Sequence, residues 1–452
     1  MSERRNHQLI TRAIALALAG GVMIAAPHPA VAQIRPAKAA VITDDALHYR
    51  MRRGDNLYAL AQKYMVSPAA ALQVQRYNRI ANPYTVPVGT VVRIPLRLLK
   101  YQPETVRLAA WRGAVEIGGG TTPVIGMNLR EGTMIATGQG GFVTLQLANG
   151  SRVSIPSQSA VRIARMRQYL INQALDYEFT VDKGRLQTKA TPMKNPDSRY
   201  RVRTPIAVSA VRGTEFRVKL ENDKAPSLTE VLEGTVAVGA PDAAASTDVA
   251  QGNGIGVTGD GETRTEKLLP APELTSPGKV QKDSDLAFAI APVEGAARYR
   301  AVFATDASMT EQFAEVLSDT PAIMHAGIPN GKYFVRVSAL SPAGFEGFAN
   351  NYGFTRRLSS VSAASEPAED GSVAFKWAAD GEGKILHRFQ LYRESIETAP
   401  VIDEAGLTKS GIRLGQLPPG TWLWRVGISV FGEGAVTDNW TSPEKLIIAR
   451  EE

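Results

Sequence analysis

The 452-residue chain contains no cysteine. That absence excludes disulfides and thiol nucleophiles, and it argues against a lipid anchor on an N-terminal cysteine. Histidine is scarce as well, and beyond the first 32 residues only His48, His325 and His387 remain. They are widely separated, with no His-x-His or His-Glu-x-x-His spacing, so a zinc peptidase or amidase lacks its ligands. After Ala26 no stretch approaches the roughly 18 consecutive apolar residues that a membrane helix needs. The glycine run Gly252-Asn253-Gly254-Ile255-Gly256 lacks the Lys-Ser/Thr of a phosphate loop and reads as a turn.

What is present begins with Arg4, Arg5 and Arg12, an apolar segment from Ala13 to Ala26, and Ala30-Val31-Ala32 before Gln33. A basic start, an apolar segment too short for a bilayer core of about 30 Å and a small-x-small box together describe a secretory signal peptide. Residues 1–32 are expected to be removed, leaving a periplasmic, wall-associated chain that starts at Gln33 and has no transmembrane segment. Residues 33–46, Pro- and Ala-containing and without periodicity, read as a linker. Net charge is divided along the chain: +9 over 33–112, +2 over 113–270 and −6 over 271–452. The basic end suits a polyanion, which for an exported protein means cell wall or lipopolysaccharide rather than nucleic acid.

In the 47–98 segment, Leu57, Leu60, Ala61 and Tyr64 fall at helical spacing behind Asn56, a good N-cap. Ser67-Pro68 reads as the cap and first position of a second helix carrying Ala71, Leu72, Val74 and Asn78. Val91, Val92 and Ile94 close the segment as a strand. This strand-helix-helix-strand order resembles the LysM domain, on Tyr49, Arg53-Gly54-Asp55-Asn56-Leu57-Tyr58, Ala61, Tyr64, Val66-Ser67, Tyr77-Asn78, Pro87-Val88-Gly89-Thr90 and Ile94-Pro95. The resemblance implies a shallow groove for N-acetylglucosamine-containing glycan, formed by Gly54, Asp55, Asn56, Leu57 and Tyr58 on one loop and by Ile80, Asn82, Tyr84 and Val86 on the other. Tyr58 and Tyr84 are the strongest candidates for sugar contact, because aromatic faces in loops are costly to expose without a partner.

From Tyr101 the pattern turns to strands. Val143, Leu145 and Leu147 alternate with polar residues up to Asn149-Gly150, and Val153 and Ile155 alternate beyond it, a hairpin signal. Further strands are expected at Phe179–Val181, Leu186–Thr188, Tyr200–Val202, Phe216–Val218 and Val236–Val238. The 103–265 region resembles the FecR domain, on Thr204-Pro205-Ile206-Ala207-Val208, Arg212-Gly213-Thr214-Glu215-Phe216 and Val231-Leu232-Glu233-Gly234-Thr235. FecR-type regulators carry a cytoplasmic anti-sigma segment and a membrane span ahead of this domain. Here a signal peptide and a LysM-like segment stand there instead, so anti-sigma activity does not carry over.

Beyond Leu274 the chain repeats. Gly331-Lys332-Tyr333-Phe334-Val335-Arg336-Val337 corresponds to Gly420-Thr421-Trp422-Leu423-Trp424-Arg425-Val426, and Leu286–Ile290 to Val373–Trp377. These alternating strands suggest two β-sandwiches, 270–356 and 360–450, that resemble fibronectin type III or immunoglobulin-like modules. The expected fold is therefore multidomain and mainly β, with a small α+β module, an all-β FecR-like domain and two C-terminal sandwiches.

No catalytic or metal-binding constellation emerges, and no cofactor is implied. Ser209 and Thr214 have no His or Lys base placed near them by any motif and read as strand residues. The preferred reading is a non-enzymatic peptidoglycan-binding scaffold that presents its β domains to an envelope protein partner. Two alternatives stay open: a FecR-type envelope signalling component, and a wall hydrolase with an acidic site that no motif reveals.

Overall fold

The computed structural model describes residues 45–449 apart from 223, 242–244, 279 and 433–434. The expected signal peptide and nearly all of the expected linker lie outside the described residues. The first strand, β1 (Ala46–Arg50), pairs antiparallel with β2 (Val91–Pro95), and between them lie α1 (Leu57–Tyr64) and α2 (Ala70–Asn78). Helix α1 starts where the sequence places it, because the Asn56 side chain accepts the Ala59 N–H at 2.8 Å. Helix α2 starts later than Ser67-Pro68 suggests. Ala70 and Ala71 donate to the Ser67 and Pro68 carbonyls in a tight turn, and the cap, Ala69, makes no side-chain bond. Asn78 closes the module by exchanging bonds of 2.7 Å with both backbone groups of Arg93, which fastens the end of α2 to β2.

The core of this small module is Leu47, Leu57, Leu60, Ala61, Val74, Val92 and Ile94, joined by Tyr169, Ile171 and Ala174 from the following β region. The module is therefore welded to its neighbour. Tyr101–Pro103 pairs with Arg167–Tyr169, and Asp45 meets Arg165 and Arg201 at 3.3 and 3.4 Å.

The next region is two sheets sharing one long strand. The N-terminal half of Leu175–Lys189 pairs with Ser159–Tyr169 and, in parallel, with Arg199–Arg203. Its C-terminal half pairs with Arg152–Ile155 and Glu215–Leu220. The sequence suggests two strands here, Phe179–Val181 and Leu186–Thr188. Gly184 instead bends a continuous strand from one sheet to the other, at φ +83° with the Gln158 carbonyl oxygen 2.5 Å from where a Cβ would stand. Phe179, Tyr200, Phe216 and Val231 fill the space between the sheets. The Asn149-Gly150 hairpin forms as expected, with Val143 opposite Ile155 and Leu145 opposite Val153.

Two β-sandwiches follow. In the first, Asp285–Ala289 pairs with Ala322–Ala326 and faces a sheet ordered Gln312–Ser318, Arg298–Ala304, Gly331–Leu340, Glu346–Arg356. The second repeats the plan, with Val373–Gly381 between Ser359–Pro367 and Gly411–Leu414, opposite a sheet centred on Lys384–Arg393 and Gly420–Gly432. The internal repeat thus maps onto equivalent strands, and the fold is mainly β as expected. No helix among the described residues is long and apolar enough to cross a membrane.

The run Gly252–Gly256, expected as a turn, lies largely in the strand Asn253–Val257. Its glycines serve the junction with the first sandwich: a Cβ on Gly254 would stand 2.5 Å from the Phe345 ring, and one on Gly256 would meet Leu228 at 3.1 Å. Phe345, Leu228 and Leu268 form a buried cluster there. Gly254→Ala is accordingly expected to cost about 1–3 kcal/mol by overpacking, whereas Gly259→Ala, where a Cβ meets nothing within 4 Å, should be near neutral. Equal denaturation midpoints for the two variants would show that Phe345 does not lock the junction.

Beside that cluster lies a buried charge network. Arg217 reaches Glu230 at 3.3 Å and donates to the carbonyls of Glu346 and Gly347 at 2.8 and 3.1 Å. Arg300 contacts the Glu346 carboxylate at 3.2 Å and Glu315 at 2.9 Å, and Ser338 donates to Glu346 at 2.7 Å. The Glu346 N–H donates to Glu230 at 2.8 Å, so the FecR-like body and the sandwich share one polar core.

Candidate glycan-binding site

The loop entering α1 and the loop after α2 lie side by side because the Leu57 N–H donates to the Pro83 carbonyl at 2.9 Å. That bond brings Tyr58 and Tyr84 into a stack, with centroids 4.7 Å apart and planes 24° from parallel. Tyr84 is 64% exposed, so the pair presents an aromatic face to solvent. The Asn82 side chain accepts the Tyr84 N–H at 2.9 Å and shapes the turn that holds the ring. Ile80 is half-buried against the core, and Val86 and Leu57 are buried.

The nine expected site residues therefore divide by role. Tyr84 and Asn82 are exposed on the second loop, and Tyr58, in the first turn of α1, is half-buried beneath Tyr84. Asn56 caps α1, while Leu57, Ile80 and Val86 support the loops from below. Asp55 is taken up by the fold: its carboxylate accepts the Tyr49 hydroxyl and the Arg52 N–H, each at 2.8 Å. Burial and that carboxylate push the Tyr49 hydroxyl up to about 12, so it stays a proton donor to Asp55. Gly54 sits at φ +90° with open space where a Cβ would be, so its backbone angle, not crowding, calls for glycine.

At the start of α1 the Leu57, Ala59 and Leu60 N–H groups are bonded to Pro83, Asn56 and Asn56 respectively. No backbone partner of the Tyr58 N–H is seen among the described residues, as is usual for a donor in the first turn of a helix. Gln75 was not foreseen. Its side-chain amide donates to the Ile80 and Ala81 carbonyls at 3.0 and 3.3 Å and fixes the second loop. A helical glutamine five residues before the loop carries no sequence signal for such a latch. Basic side chains border the site: Arg52 lies over the Tyr49 ring at 5.9 Å, and Arg50 donates to the Gly89 carbonyl at 3.2 Å.

Elsewhere, no cluster of three or more His, Asp or Glu suited to a metal ion occurs among the described residues. Ser209 is buried and shares a hydrogen bond of 2.9 Å with Thr229 across the sheets' interior.

Residues 49–95 match the family model of the LysM domain, and residues 133–237 match that of FecR protein. The chain carries both, in the order that the sequence motifs imply. No curated protein matches it. Among solved structures, a candidate anti-sigma factor from Parabacteroides distasonis is similar at 20% identity and TM-score 0.25, over 30% of this chain. This chain spans 59% of that protein's length. A two-domain fibronectin type III segment of chicken tenascin aligns at 15% identity and TM-score 0.21, over 41% of this chain and all of the segment.

Proposed function

We propose that this protein is a non-enzymatic, peptidoglycan-binding scaffold of the bacterial envelope, exported to the periplasm and held on the wall by its LysM module. One observation carries the reading. Within the LysM segment the exposed Tyr84 ring stacks on the half-buried Tyr58 at the start of α1, where the Tyr58 N–H has no backbone partner among the described residues. The rings offer an apolar face to a sugar ring, and the N–H offers a donor to an N-acetyl carbonyl. The FecR-like body and the sandwiches then present β surfaces to an envelope protein partner. Because the body is continuous with the LysM module through Tyr169, Ile171 and Ala174, a partner docked on it is positioned relative to the glycan strand.

Co-sedimentation with purified sacculi tests the proposal. Wild-type protein is expected to pellet, and Tyr58→Ala with Tyr84→Ala to remain in the supernatant, with no soluble muropeptides released by either. Point variants suit this better than removal of the module, which would strip Tyr169 and Ile171 of their cover. Equal pelleting of the double variant would sink the anchoring role. Release of muropeptides that a single Asp or Glu substitution abolishes would overturn the non-enzymatic one.

A further inference from the structure

The seam between the FecR-like body and the first sandwich is closed at one end and open at the other. At the closed end Phe345 fills the space over Gly254 and Gly256, and the Arg217, Glu230, Arg300 and Glu346 network is withdrawn from solvent. At the open end, Trp111, Arg112 and Gln139 of one domain and Glu311, Phe313 and Tyr333 of the other line a cleft of about 640 Å³. That volume lies in the range of roughly 300–1,000 Å³ common to ligand sites at domain junctions. A seam packed tightly around Phe345 has the means to close on apolar rings. The rings at the open end nevertheless line a gap.

We propose that this cleft is a second glycan site, taking a short neutral amino-sugar segment of the polymer assigned to the LysM module; the choice of ligand rests on that assignment. A sugar ring has apolar C–H faces and a polar rim. The cleft supplies the complement to both. Trp111 and Tyr333 are half-buried, and Phe313 packs edge-on against Tyr333 with centroids 5.6 Å apart. Around the rings stand Arg112, Glu311 and the neutral amide of Gln139, together with Glu315, whose charge Arg300 and Arg185 already pair at 2.9 and 3.2 Å. Charges of both signs favour a neutral, hydroxyl-rich ligand over a polyanion, which would call for an excess of basic groups. His325, also in the cleft, is held below its ordinary pKa by burial and so supplies an uncharged donor and acceptor. Two modest sites on one continuous body would strengthen attachment by effective concentration, without either being tight.

The test titrates the full mature chain with a chitin hexamer, followed by calorimetry and by indole emission. Of the other four tryptophans, Trp377, Trp422 and Trp424 are buried in the second sandwich and Trp440 is half-buried there, so Trp111→Phe identifies the signal of the cleft. Wild type is expected to show a second binding event with a change in indole emission. Trp111→Ala with Tyr333→Ala should weaken that event by about tenfold, the loss typical of a stacked aromatic face. Tyr84→Ala should weaken the other event and leave the indole response. If Tyr84→Ala changes nothing while the cleft variant abolishes all binding, the LysM assignment fails and the cleft stands. A single event in wild type with no indole response overturns the cleft site without touching the LysM assignment. An indole response to a Leu- and Phe-rich peptide but not to the hexamer overturns it in favour of protein docking. The wild-type emission change decides the matter even where the double variant does not fold.

Discussion

Glu346→Ala is expected to destabilise the protein by about 3 kcal/mol, the low end for breaking a buried ion pair, because Glu315 still offsets part of the Arg300 charge. The variant leaves Arg300 without its 3.2 Å partner and the Ser338 hydroxyl without its acceptor, both out of water. Glu404→Ala, at an exposed strand position, should shift stability by no more than about 0.5 kcal/mol. The effect also has a pH signature. Burial pushes the Glu346 carboxyl up, but Arg217, Arg300 and Arg185 outweigh it and hold the group well below its usual value of 4.5. An acid with a depressed folded pKa contributes stability that is fully present above 4.5 and is lost as pH falls toward the folded value. Glu230 acts in the opposite sense: burial holds it above its ordinary value despite Arg217, so its contribution is greatest at low pH and fades as pH rises. The gap between wild type and Glu346→Ala in urea midpoint should therefore be wide at neutral pH and narrow below about 4.5. A gap that is absent, or that widens on acidification, would contradict the reading of this junction as a charge-locked joint.

How much of this was legible in the sequence differs from part to part. The LysM module could be read because its signals are local: Asn56 caps α1, and Leu57, Leu60 and Ala61 fall on one face and are buried together. The strands of the FecR-like body and the internal repeat of the sandwiches were also visible, through alternation and turn residues. What escaped depends on contacts between distant segments. Gly254 and Gly256 look like a loop until Phe345 packs against them, some 90 residues later in the chain. Arg217, Arg300, Glu230 and Glu346 look like surface charges, since nothing local shows that each will be covered by another domain. Phe179–Val181 and Leu186–Thr188 read as separate strands, while pairing on both sides of Gly184 keeps one strand unbroken. In the candidate site, the two loops and both tyrosines were named from the motif. Their stacking, the Gln75 latch and the binding of Asp55 to Tyr49 were not, because each requires the closed geometry.

The central claim is that a groove, and not the basic end of the chain, recognises the wall. Arg50, Arg52 and Arg53 face largely to solvent, where charges contribute about 1 kcal/mol at 4 Å and are screened beyond about 8 Å at physiological salt. They should speed encounter with the wall more than they hold the complex. The Tyr58–Tyr84 face should hold it, and an uncharged ligand isolates that contribution. Calorimetry with a chitin oligomer at low and at physiological ionic strength is the most direct measurement. Wild type is predicted to bind equally at both salts, with Tyr84→Ala and Gly54→Val weakened at both, while Arg52→Ala with Arg53→Ala is unchanged toward the oligomer and weakened toward sacculi only at low salt. Absence of heat and saturation with the oligomer, together with sacculus binding that disappears on adding salt, would show the module to be an electrostatic adhesive and contradict the account.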